Sequence, residues 1–261
     1  MIPAYLDFAT PPQRRGVFIF PWLLLYLLFI AVNADSAELP RLAFVIDDLG
    51  NNSVLDQRAL QLPGPIAASI LPLTPHAVED ARMAKTRGLL IINHLPMQAD
   101  NGKTLGPGGL TEEMKVIEFK KKLAQDLASI PGINGVSNHM GSRLTRNRQA
   151  MQWVMEGLKG RSLFYLDSRT SLGSVAADSA RHAGIPTLER DVFLDHDRNV
   201  TDIEIQFDRM LQIARRKGSA IAIGHPFPET LTVLERRLPQ LRSQGFRMVQ
   251  LNELLPTSAT R

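Results

Sequence analysis

The sequence predicts an α/β fold in which mainly parallel strands form a closed or nearly closed barrel. Short apolar runs alternate with amphipathic segments from residue 42 onwards, without an internal linker. The first run, Leu42 to Ile46, is apolar throughout, which is typical of a strand buried on both faces. The chain has 261 residues and is 44% hydrophobic, enough for one full-sized domain.

Seven or eight strand–helix units are predicted. The strands are expected at 42–46, 66–71, 89–93, 133–137, 163–166, 185–188, 219–224 and 246–250. The helices are expected at 53–61, 76–87, 111–129, 145–159, 174–183, 201–217 and 228–243. Thr111, Thr145 and Thr201 are start signals, because threonine is common at helix N-caps, and glycines such as Gly218 are stop signals. The barrel domain is predicted over 39–255, followed by a disordered tail, 256–261.

Residues 1–34 have the pattern of a secretory signal peptide. Arg14 and Arg15 precede an apolar run from Gly16 to Val32, and small residues favour cleavage after Ala34. The run is short for a membrane-spanning helix, so a membrane is expected as a partner only if the segment stays uncleaved. The chain has no cysteine and therefore no disulfides. These features favour the periplasm of a Gram-negative bacterium.

Nucleic acid and nucleotides are not expected as partners. The formal net charge is only +4 and the basic residues are scattered, without the spacing of a known nucleic-acid-binding motif. Gly102-Lys103-Thr104 resembles the end of a phosphate-binding loop, but Met97 occupies the position of its first glycine.

Acidic residues and histidines stand where predicted strands end. Because the carboxyl ends of parallel strands meet at one rim of a barrel, we expect these side chains to form one site. Aspartate and histidine supply ligands suited to Zn²⁺ with an open coordination position, and the remaining ones could serve as general base and acid. The residues are Asp47, Asp48, His94, His139, Asp167 and His225.

Six motifs occur in an order that resembles the divergent polysaccharide deacetylase family, which is related to the NodB-type carbohydrate esterases. They are IDDLGNN, NHLPMQ, SNHMGSRLT, FYLDSRTS, RDVFLDHD and IGHPFPET. The resemblance covers roughly residues 40–255 and is close to the enterobacterial-type members. It implies a distorted, NodB-like (β/α) barrel of seven to eight mainly parallel strands.

The resemblance also implies roles for single residues. Asp47 corresponds to the catalytic base, Asp48 to a metal ligand, and His225 to the catalytic acid. The supporting residues that would orient the base are Asp167, Arg169 and Arg143.

The metal ligands depart from the NodB-type pattern. Those enzymes take both histidine ligands from one H-x-x-x-H segment, but here His94 is followed four residues later by Gln98. The best candidate for the second histidine is His139. The expected cofactor is Zn²⁺ or another divalent transition metal.

Three functions follow as hypotheses. The first is a metal-dependent deacetylase that removes acetyl groups from an N- or O-acetylated polysaccharide, with cell-wall glycan among the candidates. The alternative is a non-catalytic glycan-binding or envelope-assembly protein on the same fold. A third hypothesis is a serine hydrolase that uses Ser137.

Overall fold

The computed structural model describes Met1, Ala4 and residues 38–256. The rest of the predicted signal peptide and residues 257–261 of the predicted tail lie outside the described residues, so those predictions stay as made. From Leu39 onwards the chain forms one compact unit. Within the described part, no helix is both long and apolar enough to cross a membrane.

The central element is a sheet in which all strand pairs are parallel. Eight strands form one row in the order β6-β5-β4-β3-β2-β1-β8-β7, and β9 pairs with β1. The strands are β1 Arg41–Leu49, β2 Ala67–Ile70, β3 Leu90–Met97, β4 Gly135–Met140, β5 Phe164–Asp167, β6 Thr187–Glu189, β7 Val192–Phe193, β8 Ser219–Gly224 and β9 Arg247–Met248.

The row of strands curls into a barrel that is left open between β6 and β7. The N–H of Arg190 donates to the carbonyl of Asp167 at one end of the row. The next residue, Asp191, donates its N–H to the carbonyl of Ile221 near the other end. Consecutive residues can reach both ends only if the sheet bends round on itself. The predicted distorted barrel is confirmed.

In the part of the chain that the structure describes, seven α-helices alternate with the strands, except that no helix separates β6 from β7. They are α1 Ser53–Leu60, α2 Ala77–Thr86, α3 Val116–Ser129, α4 Arg148–Leu158, α5 Ala176–His182, α6 Val200–Lys217 and α7 Pro228–Arg237. Short 3₁₀ helices occupy Leu144–Arg146, Leu238–Gln240 and Leu251–Leu254.

Strand β1 shows why its sequence is apolar without a break. Leu42, Phe44 and Ile46 belong to the core between the strands and the helices. Ala43 and Val45 belong to a separate cluster that fills the barrel. Because successive side chains of a strand point to opposite faces, a strand covered on both faces has to be apolar at every position.

The three helices that were given threonine start signals do not begin at those threonines. Helix α3 begins at Val116 rather than at residue 111, because the preceding segment is tied to the end of β3: the Glu112 N–H donates to the Gln98 side chain, and Leu110 pairs with Met97. The threonine start signals are wrong at the other two helices. The side chains that cap α4 and α6 are Asn147 and Asn199.

The predicted ends of the sheet also needed correction. Strand β7 was not predicted, since two residues are too short to give a period. The predicted strand 246–250 is reduced to the two residues of β9, which lie beside β1. Helix α7 ends at Arg237 and continues as a 3₁₀ turn that contains Pro239.

Candidate metal centre and acid–base residues

Asp47 and Asp48 share one site because the end of β1 is irregular. Asp47 continues the inward-facing positions of the strand and is 1% exposed. Regular alternation would turn Asp48 outwards, but its φ of 62° is left-handed, and the pairing of β1 with β2 shifts between Ile46 and Leu49. This bulge aims both adjacent carboxylates at the same space.

Two histidines from neighbouring strands approach Asp48. On β3, His94 Nε2 lies 3.2 Å from Asp48 Oδ1 and 3.5 Å from Asp47 Oδ2. On β4, His139 Nδ1 lies 2.7 Å from Asp48 Oδ1. Asp48, His94 and His139 each offer one ligand atom, and these atoms all lie within 4.8 Å of one another. The predicted ligand set is therefore brought together by three strands. His94 lies within β3 rather than at its end, because this strand continues beyond the predicted residue 93 to Met97.

The donor atoms of this cluster fit a divalent transition metal. One carboxylate oxygen and two imidazole nitrogens are ligands that such ions prefer. Asp48 Oδ1 is buried, yet no described residue gives it a hydrogen bond of good geometry despite the two nearby nitrogens. Gln98 takes no part, because its amide contacts Glu113 and the backbone N–H of Glu112.

The pKa values of Asp47 and Asp48 are shifted in opposite directions. Burial is the largest influence on Asp47, and it raises the pKa of that carboxyl despite the nearby His94 and His225. Burial also acts to raise the pKa of Asp48, but the close polar contacts and charges of His139 and His94 outweigh it and hold that pKa well below its usual range. Asp48 is thus set up to stay ionised, as a ligand must be.

A second imidazole system faces the same carboxylates from β8. His225 Nε2 lies 3.7 Å from Asp48 Oδ2, and its Nδ1 lies 2.9 Å from Asp195 Oδ1. Asp195 is 3% exposed, and its Oδ2 accepts hydrogen bonds from the His225 N–H and the Thr230 hydroxyl. Burial acts to lower the pKa of His225, but the bond to Asp195 and the charges of the three aspartates raise it to about 9. A nearby bound cation would oppose that rise.

Aromatic side chains surround His225 at the rim. Phe227 stacks on the imidazole and Phe193 lies against it, each with ring centroids 5.2 Å away. The guanidinium of Arg198 lies 3.7 Å from the centroid of Phe227. A cavity of about 320 Å³ adjoins Phe193 on the side of Arg190.

The three predicted supporting residues have other hydrogen-bond partners than Asp47, and their supporting role stays a prediction. None of them contacts Asp47 in the part of the chain that the structure describes. The Asp167 carboxylate accepts hydrogen bonds from the Ser174 hydroxyl, from the backbone N–H of Arg169 and from that of Ala177 at the start of α5. Arg169 pairs with Glu189, and Arg143 pairs with Glu112.

Arg190 is the cation that the sequence interpretation missed. Burial lowers the pKa of its guanidinium, and the charge of Asp47 is the next-largest influence. Its position is fixed by hydrogen bonds to the carbonyls of Ser168 and Arg169. Asp195 was also missed. Both lie in the RDVFLDHD motif, whose first and sixth residues were the available signal.

The serine-hydrolase hypothesis does not suit this geometry. Ser137 is fully buried beneath His94, with its Oγ 2.7 Å from Nδ1, on the side of the ring opposite Nε2. A nucleophile has to reach its substrate, and this hydroxyl faces the barrel interior.

Comparison with known proteins decides the family. Residues 44–255 match the family described as divergent polysaccharide deacetylase. The chain belongs to this family. Membership confirms the resemblance read from the six motifs. In this divergent polysaccharide deacetylase, Gln98 occupies the position of the second histidine of H-x-x-x-H, and His139 approaches Asp48 from the next strand.

Similar proteins cover most of the chain. Uncharacterized protein YibQ of Escherichia coli K12 is 37% identical over 225 residues, covering 85% of this chain and 70% of that protein. An uncharacterized protein of Haemophilus influenzae Rd is 37% identical over 203 residues, covering 77% and 72%. The crystal structure of uncharacterized protein ATU2773 from Agrobacterium tumefaciens C58 has a TM-score of 0.80 at 25% identity, covering 84% of this chain and 90% of that one.

Proposed function

We propose that this chain is a metal-dependent deacetylase that removes acetyl groups from an N- or O-acetylated polysaccharide. The observation that carries the proposal is the cluster of a buried base, a three-ligand set and a carboxylate-backed histidine at one rim. Membership of the polysaccharide deacetylase family supports a glycan as the substrate class. The aromatic rings beside His225 support it further, since sugars present apolar faces to such rings.

The ligands proposed for the metal are Asp48, His94 and His139. When bound, a Zn²⁺ ion or another divalent transition metal supplies positive charge that polarises a carbonyl oxygen and makes water more acidic. The left-handed turn at Asp48 and the strand positions of the two histidines hold the ligand atoms ready before binding.

The other residues move protons. Asp47 is the base that takes a proton from the attacking water, because its Oδ1 is buried without a hydrogen-bond partner among the described residues. His225 is the acid that protonates the leaving nitrogen or oxygen of the sugar. Asp195 keeps the His225 ring oriented and favours its charged form. Arg190 favours the ionised form of Asp47 through its charge.

Acetate release tests the proposal. Partially acetylated chitin and peptidoglycan fragments and O-acetylated glycans are incubated with purified protein, with and without added Zn²⁺, and acetate is measured enzymatically. We expect metal-dependent release that a chelator abolishes and that metal restores. If no acetylated glycan releases acetate under metal-replete conditions, the proposal is wrong.

A second candidate is a non-catalytic glycan-binding or envelope-assembly protein on the same fold. The observation that favours it is the altered ligand set, in which Gln98 replaces a histidine and contacts a loop instead. Binding of glycan fragments without acetate release would support this candidate.

We further propose that the protein works in the periplasm of a Gram-negative bacterium. The charged and apolar pattern of residues 1–34 supports this location. N-terminal sequencing of the protein from a periplasmic extract should start near Asp35. A full-length product retained in the membrane fraction would instead support an uncleaved anchor.

A further inference from the structure

One buried carboxylate holds the turn that follows the candidate ligand Asp48. Asp56 lies in the first turn of α1 and is 0% exposed. Its Oδ2 accepts hydrogen bonds from the backbone N–H of Gly50 at 3.0 Å and from that of Asn52 at 2.9 Å. Because Asn52 is the N-cap of α1, the contact with Gly50 reaches back beyond the helix. Asp56 therefore binds the loop between β1 and α1 as well as the start of its own helix.

The same turn is fixed on its other side by the segment that follows β2. The N–H of Leu71 donates to the carbonyl of Leu49, and the N–H of His76 donates to the carbonyl of Gly50, both at 2.9 Å. Gly50 has a φ of 115°, and the Thr74 hydroxyl lies where a Cβ of that residue would be. The turn is thus held between the start of α1 and the loop after β2.

This turn matters because Asp48 has a strained backbone conformation. Its φ of 62° is left-handed, which costs free energy in a residue other than glycine and persists only where the surroundings impose it. Pairing with β8 fixes β1 as far as Ile46, and the turn fixes the chain again from Gly50. If the turn were released, β1 could continue regularly, and alternation would place Asp48 on the face opposite Asp47.

We propose that Asp56 is a positioning residue that keeps Asp48 turned towards the metal site. It acts through the backbone of the turn and not by contact with the metal. An acidic residue in a first helical turn can also stabilise the helix through its dipole, but that effect requires a charge. Holding the two N–H groups requires only an acceptor oxygen, so Asp56→Asn separates the two roles. The inference rests on the metal site of the proposed function.

The first test uses the full chain and Zn²⁺ alone as the probe. Zinc affinity is measured by competition with a chelating dye for wild type, Asp56→Ala, Asp56→Asn and Asp126→Ala. Asp126 on α3 is the matched control, because it is also 0% exposed but neither carboxylate oxygen has a hydrogen-bond partner among the described residues.

The three variants should separate clearly. We expect Asp56→Ala to bind zinc about 10–100-fold more weakly, as when an outer partner of a metal ligand is lost. Asp56→Asn and Asp126→Ala should stay close to wild type. Equal affinities for Asp56→Ala and Asp126→Ala would overturn the inference. Equal weakening in Asp56→Ala and Asp56→Asn would also overturn it, because the charge and not the acceptor oxygen would then be what matters.

Hydrogen exchange of the Gly50 amide gives a readout that does not need metal. In the metal-free wild type this buried N–H should exchange slowly. Asp56→Ala should lose that protection and Asp56→Asn should keep it. Fast exchange in wild type, or unchanged protection in Asp56→Ala, would contradict the inference. If Asp56→Ala does not fold, wild type and Asp56→Asn still decide it. If wild type binds no zinc, the metal-dependent function fails, while this exchange still decides whether Asp56 holds the turn.

Discussion

Two pairs of carboxyl groups lie near the end of β1, and they contain one carboxyl whose pKa is lowered and one whose pKa is raised to about 7. Asp47 and Asp48 end β1 and face three imidazoles. Asp56 on α1 and Asp80 on α2 form the second pair just behind, where Asp56 accepts from the N–H groups of the loop that follows β1.

The difference shows what burial alone does to a carboxyl group. At Asp80, burial is the largest cause and the charge of Asp56 adds to it, raising the pKa to about 7. At Asp48, the histidines overcome the same penalty and the pKa falls well below its usual range. Asp48 is therefore suited to face a cation, whereas the surroundings of Asp80, like those of Asp47, favour the protonated form.

Removing a histidine ligand should have the largest effect, because both metal binding and activity depend on it. In His139→Ala, zinc content and acetate release should both fall to background, because a site with three protein ligands has no spare. Metal analysis of the purified variant checks this. His182→Ala is the control, since that imidazole lies on α5 with its Nδ1 near the Asp178 carbonyl. Unchanged zinc content in His139→Ala would remove the basis for treating the first pair as a cation site.

A variant of the base Asp47 should lose activity without losing the metal. Asp47→Asn keeps the shape of the side chain but cannot take a proton, so acetate release should fall by about 10²–10⁴-fold while zinc stays bound. The measurement is activity per bound metal. If Asp47→Asn empties the site and His139→Ala does not, the roles of Asp47 and Asp48 have to be exchanged.

Removing the charge of Asp195, which hydrogen-bonds the candidate acid His225, should have an intermediate effect on activity. Asp195→Asn removes the charge that supports His225, so activity should fall roughly 10–100-fold, a part of what acid catalysis contributes. Zinc content should not change, because Asp195 contacts His225 and Thr230 rather than the ligands. Loss of zinc in this variant would mean that the two imidazole systems are not separate.

The sequence alone was sufficient for the parts of the site that follow from strand ends. Asp47, Asp48, His94, His139 and His225 lie together, as expected for one rim of a parallel sheet, although 178 positions separate the first from the last. His94 does so from within β3, three residues before the strand ends. Their roles as base, ligands and acid stay predictions.

The remaining features depend on tertiary contacts, which leave no periodic pattern of apolar residues in the sequence. Arg190 and Asp195 flank a two-residue strand, and Asp56 lies in a first helical turn, where a single acidic residue gives no signal of its partners. The late start of α3 was hidden for a similar reason. Its first predicted turn is held by Gln98, a residue 14 positions before Glu112 in the chain.

The second carboxyl pair gives the smallest and most specific prediction. Asp80 is 2% exposed, and its Oδ2 has no hydrogen-bond partner among the described residues. Because its pKa is raised from 3.8 to about 7 in the folded protein, the folded state binds more protons than the unfolded state between these values. The contribution of Asp80 to the stability of the wild type should therefore be largest below about pH 4 and should decline as the pH rises to about 7.

Asp80→Asn should remove that decline. The amide stays neutral and can donate to Asp56 Oδ1, which lacks a partner among the described residues. We expect unfolding free energy at pH 8 to rise by about 1–2 kcal/mol, less than the full shift implies at about 1.4 kcal/mol per pKa unit, because the ionised wild type relaxes. At pH 4 the two proteins should be nearly equal. Urea titrations at both pH values measure this, with Glu118→Gln on the exposed surface of α3 as the control. A variant less stable than wild type at pH 8 would show that the second pair needs its charge, and the contrast with Asp48 would fail.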